Sequence, residues 1–247
     1  MSFTERFADR ATDYAAARPS YPDAALDVLF DGLGDPHDVL VADLGAGTGI
    51  SSRLLAQRGA QVIAIEPNEP MRAAAEPDPN VEWRDGTAEN TGLKEADIDL
   101  VTAFQAFHWF DHVKALDEIV RILRPGGRAA VVYNERDESD PFTAAYGALV
   151  RTFQTDETER RRADGLAAFA AFEGWVTKSR VEFRNGQSLD ADGVLSRARS
   201  TSYLPKTGPA AGELHAAVRA LVAHHAKDGR VTMALRTIVV ACDVGAG

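Results

Sequence analysis

Glycine recurs at positions 45, 47 and 49 of Val39-Leu-Val-Ala-Asp-Leu-Gly-Ala-Gly-Thr-Gly49, after a short apolar run and before a segment of helical periodicity that starts at Ile50. Residues without a Cβ let the backbone turn sharply and come close to a ligand. The start of a helix adds N–H groups that no intrahelical carbonyl satisfies. A glycine turn of this kind also occurs as plain structure, so its neighbours decide what it holds. A loop that cradles nucleoside triphosphates ends in Gly-Lys-Ser/Thr, and no lysine is present here. A dinucleotide fingerprint needs a glycine at position 50, which is isoleucine. Asp43 stands at the entry, where a pyrophosphate would meet repulsion. A carboxylate there suits a ligand that carries an ammonium, held directly or through water. Glu66 ends the next apolar run and faces the ribose of any nucleoside held at the first loop, because a carboxylate can accept both ribose hydroxyl protons.

A second group of chemically able residues lies at Gln105-Ala-Phe-His-Trp-Phe110, after the fourth apolar run. His108 is the one base of near-neutral pKa close to the expected site. It suits proton abstraction from a hydroxyl or amine, or equally a cap or a support for Trp109. Trp109 and Phe110 suit either a pocket wall or a core. Arg18, Arg136 and Arg199 suit bidentate anchoring of an anionic substrate, or surface ion pairs. His224 and His225 read as solvated helix surface. No His-x-x-x-His or paired-cysteine spacing occurs, so no metal is expected.

These residues require an α/β scaffold. The pattern predicts strands over 39–44, 61–66, 80–84, 98–103 and 128–133, alternating with helices over 23–32, 50–58, 69–76 and 113–123. Near-continuously apolar strands separated by helices indicate a doubly wound, mostly parallel sheet. From Pro141 to about Gly174 the pattern turns mostly helical, as a lid or pocket wall or as a packing layer. Strand character resumes at 181–183. Helices follow near 190–199 and 213–227, and a long strand over 231–241 closes the chain. The reading is one domain over 1–247: cap helices over 1–34, a ligand-binding core over 35–135, a helical insert over 136–177, and C-terminal elements over 178–247 that complete the sheet.

The formal net charge of -10 disfavours nucleic acid as a partner. Cys242 is the single cysteine, which fits a reducing compartment. No signal peptide and no bilayer-length apolar run is visible, so the expectation is a cytoplasmic protein without a membrane partner. Oligomeric state leaves no mark in the sequence.

The chain resembles the class I, seven-stranded S-adenosylmethionine-dependent methyltransferases. The resemblance rests on Asp43–Gly49, Glu66-Pro67-Asn68, Gly86-Thr87-Ala88-Glu89, Phe104–Phe110 and Leu123-Arg-Pro-Gly-Gly-Arg128, strongest over 35–135. Together with Phe7-Ala-Asp-Arg-Ala-Thr-Asp-Tyr14 through Arg18 to Tyr21-Pro22, it is most similar to the small-molecule branch that includes trans-aconitate methyltransferases. The resemblance implies S-adenosyl-L-methionine as cofactor. Asp43, Gly45, Ala46, Gly47 and Thr48 would then lie along its methionine and ribose part, with Gly49 helping the turn. Glu66 and Pro67 would meet the ribose, with Asn68, Thr87, Ala88 and Glu89 near the adenine. Gln105 would cover the methionine end, and Tyr14 would close from the N-terminus. Many relatives carry an acid where Thr87 stands, so that adenine contact departs from the family pattern. Arg18, His108, Trp109, Arg199 and Tyr203 would face a small-molecule acceptor, with oxygen favoured as the methylated atom. The absence of an Asn/Asp-Pro-Pro-aromatic run after the fourth strand disfavours a nucleic-acid base as acceptor. Two other classes stay open: a nicotinamide-dependent oxidoreductase on a similar sheet, and a cofactor-binding module without catalysis.

Overall fold

A computed structural model describes residues 19–155, 157–201 and 203–246. Five strands, β1 (Leu40–Leu44), β2 (Gln61–Ile65), β3 (Val81–Arg84), β4 (Ile98–Phe104) and β5 (Leu123–Arg136), lie parallel. Two more, β6 (Thr177–Leu189) and β7 (Val231–Asp243), complete a sheet of order β3-β2-β1-β4-β5-β7-β6. β7 runs antiparallel to both β5 and β6. The doubly wound, mostly parallel seven-stranded sheet is thus present, with its helical insert after β5.

The two-residue period of the strands divides the core. Ala42, Leu44, Val101, Ala103, Val131 and Tyr133 pack on one face, against α4 (His112–Ile122) and α6 (Thr158–Ala171). Val41, Val62, Leu100, Ala130 and Val132 pack on the other, against α1 (Asp23–Phe30) and α2 (Ile50–Ala56). Helices on both faces explain why the strands read as apolar throughout rather than alternating. A third cluster joins α5 (Pro141–Phe153), α7 (Ala191–Ser200) and α8 (Gly208–His225) to Val231, Met233 and Leu235 at the start of β7. Short side chains start these helices. Asp140 accepts from Thr143 N at 2.8 Å ahead of Pro141, and Asp190 accepts from Gly193 N at 2.8 Å. Each satisfies an N–H that the helix cannot.

The largest departures from the expected boundaries are in β5, β6 and α8. β5 begins at Leu123 rather than 128, because Pro125-Gly126-Gly127 is carried in a bulged pairing. Gly126 N donates to Gly245 O at 2.8 Å and Val244 N to Gly127 O at 3.0 Å. β6 has 13 residues where only 181–183 was expected, and α8 starts at Gly208 rather than 213. The helical stretch expected over 141–174 is two helices, α5 and α6, broken after Phe153.

Candidate functional site

The parallel strands all end on one edge of the sheet, and the polar residues that follow them meet there. Leu44 passes directly into the glycine loop. Gly45 has φ +67°, and a Cβ on it would lie 2.8 Å from the Ala106 Cβ. Gly49 has φ +76°, and a Cβ there would lie 2.6 Å from the Trp83 ring. Both the backbone conformation and the space exclude larger residues at these positions. Gly45 N and Ala46 N donate to Ile65 O at 2.8 and 3.2 Å, which ties the loop to the end of β2.

Glu66 follows β2 and is almost wholly buried. Its Oε2 accepts from Gly47 N and its Oε1 from Asn68 N, both at 2.9 Å. Burial pushes its pKa up, and these two N–H bonds resist the shift. Each carboxylate oxygen keeps a further lone pair for a hydroxyl donor. Arg72, on α3 (Glu69–Ala73), donates to the Glu66 carbonyl and to Asp85 Oδ1.

Two cavities share Gly45, Gly47, Phe104 and Gln105 as walls. The first is lined further by Glu66, Pro67, Asn68, Met71, Thr87, Ala88, Glu89, Ala106, Trp109 and Phe110. The second continues over Ala46, Thr48, Ile50 and Ser51 to Pro19, Tyr21, Asn134 and Arg197. Gln105 stands at the junction with φ +54°, a left-handed conformation that non-glycine residues adopt at a cost. Its Nε2 donates to Asn134 O at 3.2 Å. Arg162 of α6 donates to the same carbonyl at 3.1 Å and lies 5.4 Å from the centre of the Tyr133 ring.

The expected site residues therefore divide. Gly45, Ala46, Gly47, Thr48, Glu66, Pro67, Asn68, Thr87, Ala88, Glu89, Gln105 and Trp109 all line one or both cavities. Asp43 lines neither. It is fully buried beneath the loop, accepting from Ser51 Oγ (2.6 Å), Ser52 Oγ (2.7 Å) and Thr102 Oγ1 (2.9 Å). These three bonds fasten α2 to β1 and β4, so Asp43 shapes the loop from below.

His108 is placed in the second of the two roles expected for it, beside Trp109. It lines neither cavity; it is buried, its N–H donates to Tyr133 Oη at 3.0 Å, and its Nδ1 lies 3.2 Å from the same oxygen. Its ring packs 4.5 Å from Trp109, so it supports the wall from behind. Arg199 is exposed on α7, whereas Arg197, two residues earlier, reaches the second cavity. Tyr203 is buried beside Glu159 at 3.5 Å, away from both cavities, and Arg136 pairs with Glu159 and Glu138. Tyr14 and Arg18 lie outside the described residues. Met71, Asn134 and Arg197 were missed from sequence. Asn134 had a signal, as the first polar residue after the apolar run of β5; Arg197 had none.

The donors fit S-adenosylmethionine. Glu66 offers two free lone pairs to a ribose diol, and Thr48 Oγ1 is buried without a partner on the wall of the second cavity. No group of three or more His, Cys, Asp or Glu side chains suited to a metal ion occurs among the described residues, and no helix there is long and apolar enough to cross a membrane.

Residues 42–131 match the model of a methyltransferase domain. An uncharacterized methyltransferase of Mycobacterium tuberculosis is 39% identical over 141 residues, 56% of this chain and 55% of the relative. An uncharacterized methyltransferase-like protein of Schizosaccharomyces pombe is 33% identical over 152 residues, 61% of this chain and 59% of the relative. The chain thus spans little more than half the length of these relatives. Among solved structures, a candidate type II methyltransferase from Anaeromyxobacter dehalogenans superposes with TM-score 0.66 at 24% identity, covering 93% of this chain and 98% of that one. With this strand order and the insert after β5, the chain has the class I S-adenosylmethionine-dependent methyltransferase fold, and its residues 42–131 match a methyltransferase domain.

Proposed function

We propose that the protein transfers the methyl group of S-adenosyl-L-methionine to a small-molecule acceptor at oxygen, a carboxylate or a hydroxyl. The observation that carries the reading is Glu66, buried with one oxygen on Gly47 N and the other on Asn68 N, in a cavity it shares with the glycine loop. When bound, the cofactor supplies an electrophilic methyl group on a positive sulfur. The chain's part is to hold the nucleoside, exclude water with Trp109 and Phe110, and hold the acceptor in line. Among the described residues, neither cavity is lined by a histidine or cysteine. That favours a carboxylate, which arrives ionised and needs no base. The N-terminal resemblance to trans-aconitate methyltransferases puts small carboxylic acids first among acceptors to try. The lone, buried Cys242 supports a cytoplasmic setting for this chemistry.

Calorimetry with S-adenosylmethionine and S-adenosylhomocysteine tests the cofactor. Both bind, and Glu66→Ala weakens each by about 1–3 kcal/mol through lost charge-assisted contacts. Absence of binding at millimolar ligand would refute the reading, and NADH binding in its place would favour an oxidoreductase. The acceptor atom is read with methyl-labelled cofactor and a panel of acids, phenols and amines. Label released from an acid product by mild alkali marks a methyl ester; label retained on an amine product would overturn the oxygen assignment.

A further inference from the structure

We infer that Asn134, at the end of β5, is a positioning residue: it holds the wall of the second cavity and so controls how tightly the cofactor's amino-acid end is bound. The inference rests on the cofactor reading above. The face of the sheet that packs on α1 ends in a polar row. Asn134 stands two residues beyond the buried Val132 of β5, Thr237 two residues before Val239 of β7, and Asn185 two residues beyond Phe183 of β6. The two-residue period puts all three on the same face, and strand pairing sets Asn134 opposite Thr237. Asn134 and Thr237 are buried, so their polar atoms need partners. Asn134 Oδ1 accepts from Thr237 Oγ1 at 2.5 Å and from Asn185 Nδ2 at 3.1 Å, which uses both of its lone pairs. Asn134 Nδ2 donates to Ser20 O at 3.2 Å, and Asn185 Nδ2 donates to the same carbonyl at 2.8 Å.

Ser20 lies outside helix and strand, just ahead of α1, so these two amides tie it to the sheet where a ladder does not. Its neighbours Pro19 and Tyr21 both line the second cavity. The Tyr21 ring meets Phe104 edge-on with centres 4.8 Å apart, and Phe104 walls both cavities. The main chain of Asn134 carries a second wall. Gln105 N donates to Val132 O at 2.9 Å, which extends β4 by one residue. There the pairing stops, and Asn134 O, two residues further along β5, accepts from the Gln105 and Arg162 side chains instead. One residue thus fixes Pro19–Tyr21 through its side chain and Gln105 through its carbonyl. With the ribose held at Glu66 in the first cavity, a ligand that runs past Gly45, Gly47 and Gln105 brings its amino-acid end into the second, against the wall that Asn134 holds.

5′-Methylthioadenosine isolates the second cavity, because it keeps the nucleoside and sulfur of S-adenosylhomocysteine and lacks the amino-acid end. Calorimetry on the wild type should show S-adenosylhomocysteine bound about 10- to 100-fold more tightly than 5′-methylthioadenosine. In Asn134→Ala that preference should fall to within about 3-fold, through loss of S-adenosylhomocysteine affinity while 5′-methylthioadenosine stays within about 2-fold of the wild type. Asn185→Ala removes the shorter donor to Ser20 O from a residue that lines neither cavity, and should lower the preference by about 3-fold. Equal weakening of both ligands in Asn134→Ala would assign the residue to the fold as a whole, and an unchanged preference would separate the amino-acid end from this wall; either overturns the inference. A full preference retained in Asn185→Ala would overturn it too, because Asn134 would then act by touching the ligand rather than by holding the wall. Equal affinity of the wild type for both ligands would overturn the inference alone, whereas failure of the wild type to bind either would overturn the cofactor reading. Should Asn134→Ala fold poorly, Asn185→Ala, on the edge strand, reads the same preference.

Discussion

Asp43 stands at the entry of the glycine loop and takes all its hydrogen bonds shown here from neighbouring hydroxyls. Its position at the entry of the glycine loop marks it as important, and a carboxylate near a ligand suggests a direct contact. The structure turns it inward, where three hydroxyl groups meet it. Burial is the largest influence on its pKa and pushes it up, with Ser51, Ser52 and Thr102 resisting. The folded state therefore holds the Asp43 proton more tightly than the unfolded chain does. Its contribution to stability is greatest below the unfolded value of 3.8 and declines as pH rises through the folded pKa. Asp43→Asn keeps one oxygen to accept hydroxyls, turns an N–H donor toward the remaining partner, and cannot ionise, so the decline should be missing in that variant. Urea midpoints measured from pH 3.5 upward should show the wild type losing ground against Asp43→Asn. A constant difference would mean that Asp43 is protonated to the same extent in the folded and the unfolded chain. Asp43→Ala strands three buried hydroxyls and should cost about 3 kcal/mol, with cofactor affinity falling as the loop loses its anchor.

Elements were legible where burial on both faces wrote an apolar run, as in β1, β2 and β4. They were illegible where pairing alone makes the strand. β6 carries Lys178, Arg180, Glu182 and Arg184 along an exposed edge, yet it pairs with β7 residue for residue from Thr177 to Leu189. Charges on an edge strand guard it against further pairing, and they also erase the signal that would reveal it. The site followed the same rule. Residues on loops after buried strands were found, whereas Arg197, delivered by a helix from the far end of the sheet, was not. α4 illustrates how an element positions a loop it does not contain. Glu118 accepts from Thr91 N (2.9 Å), Thr91 Oγ1 (2.6 Å) and Arg121 Nε (2.6 Å), and Glu89 Oε1 accepts from Asp111 N just ahead of the helix (2.8 Å). The loop that lines the first cavity is thereby fastened at both ends of α4. Burial alone would raise the Glu118 pKa, but hydrogen bonds from Arg121 and Thr91 outweigh it and hold it at about 2, below its ordinary 4.5. The stabilisation is present above 4.5 and is lost as pH falls through about 2. Glu118→Gln should therefore lower stability by about 1–2 kcal/mol at pH 7, a range discounted because Arg121 is partly exposed. The gap should narrow steadily below pH 4.5; a gap that persists at pH 2.5 would assign it to altered packing rather than charge.

At the scale of the molecule, the question is whether the ligand-bearing core and the outer cluster of α5, α7 and α8 unfold together. β7 argues that they do. Val231, Met233 and Leu235 belong to the outer cluster, while Ile238, Val240 and Cys242 belong to the core beneath α4 and α6. One continuous strand thus carries both, and it pairs over its whole length with β6 and from Leu235 to Asp243 with β5. Fraying the outer cluster would strip the start of β7 from β6 and expose apolar surface on the strand that closes the core. Thermal unfolding should therefore show one transition. A ligand that binds only the folded state stabilises it by RT ln(1 + [L]/Kd), about 2.7 kcal/mol at one hundred times Kd. S-adenosylhomocysteine at that concentration should move the whole transition up by roughly 5–10 °C for a chain of this size. NADH at the same concentration should leave it in place, because Ile50 stands where a dinucleotide loop needs glycine. Two resolved transitions, of which only one responds to S-adenosylhomocysteine, would show that the outer cluster folds on its own terms. In that event the second cavity, walled by the glycine loop and by Arg197 of α7, would lie between two separately stable parts, and binding would have to order the junction between them.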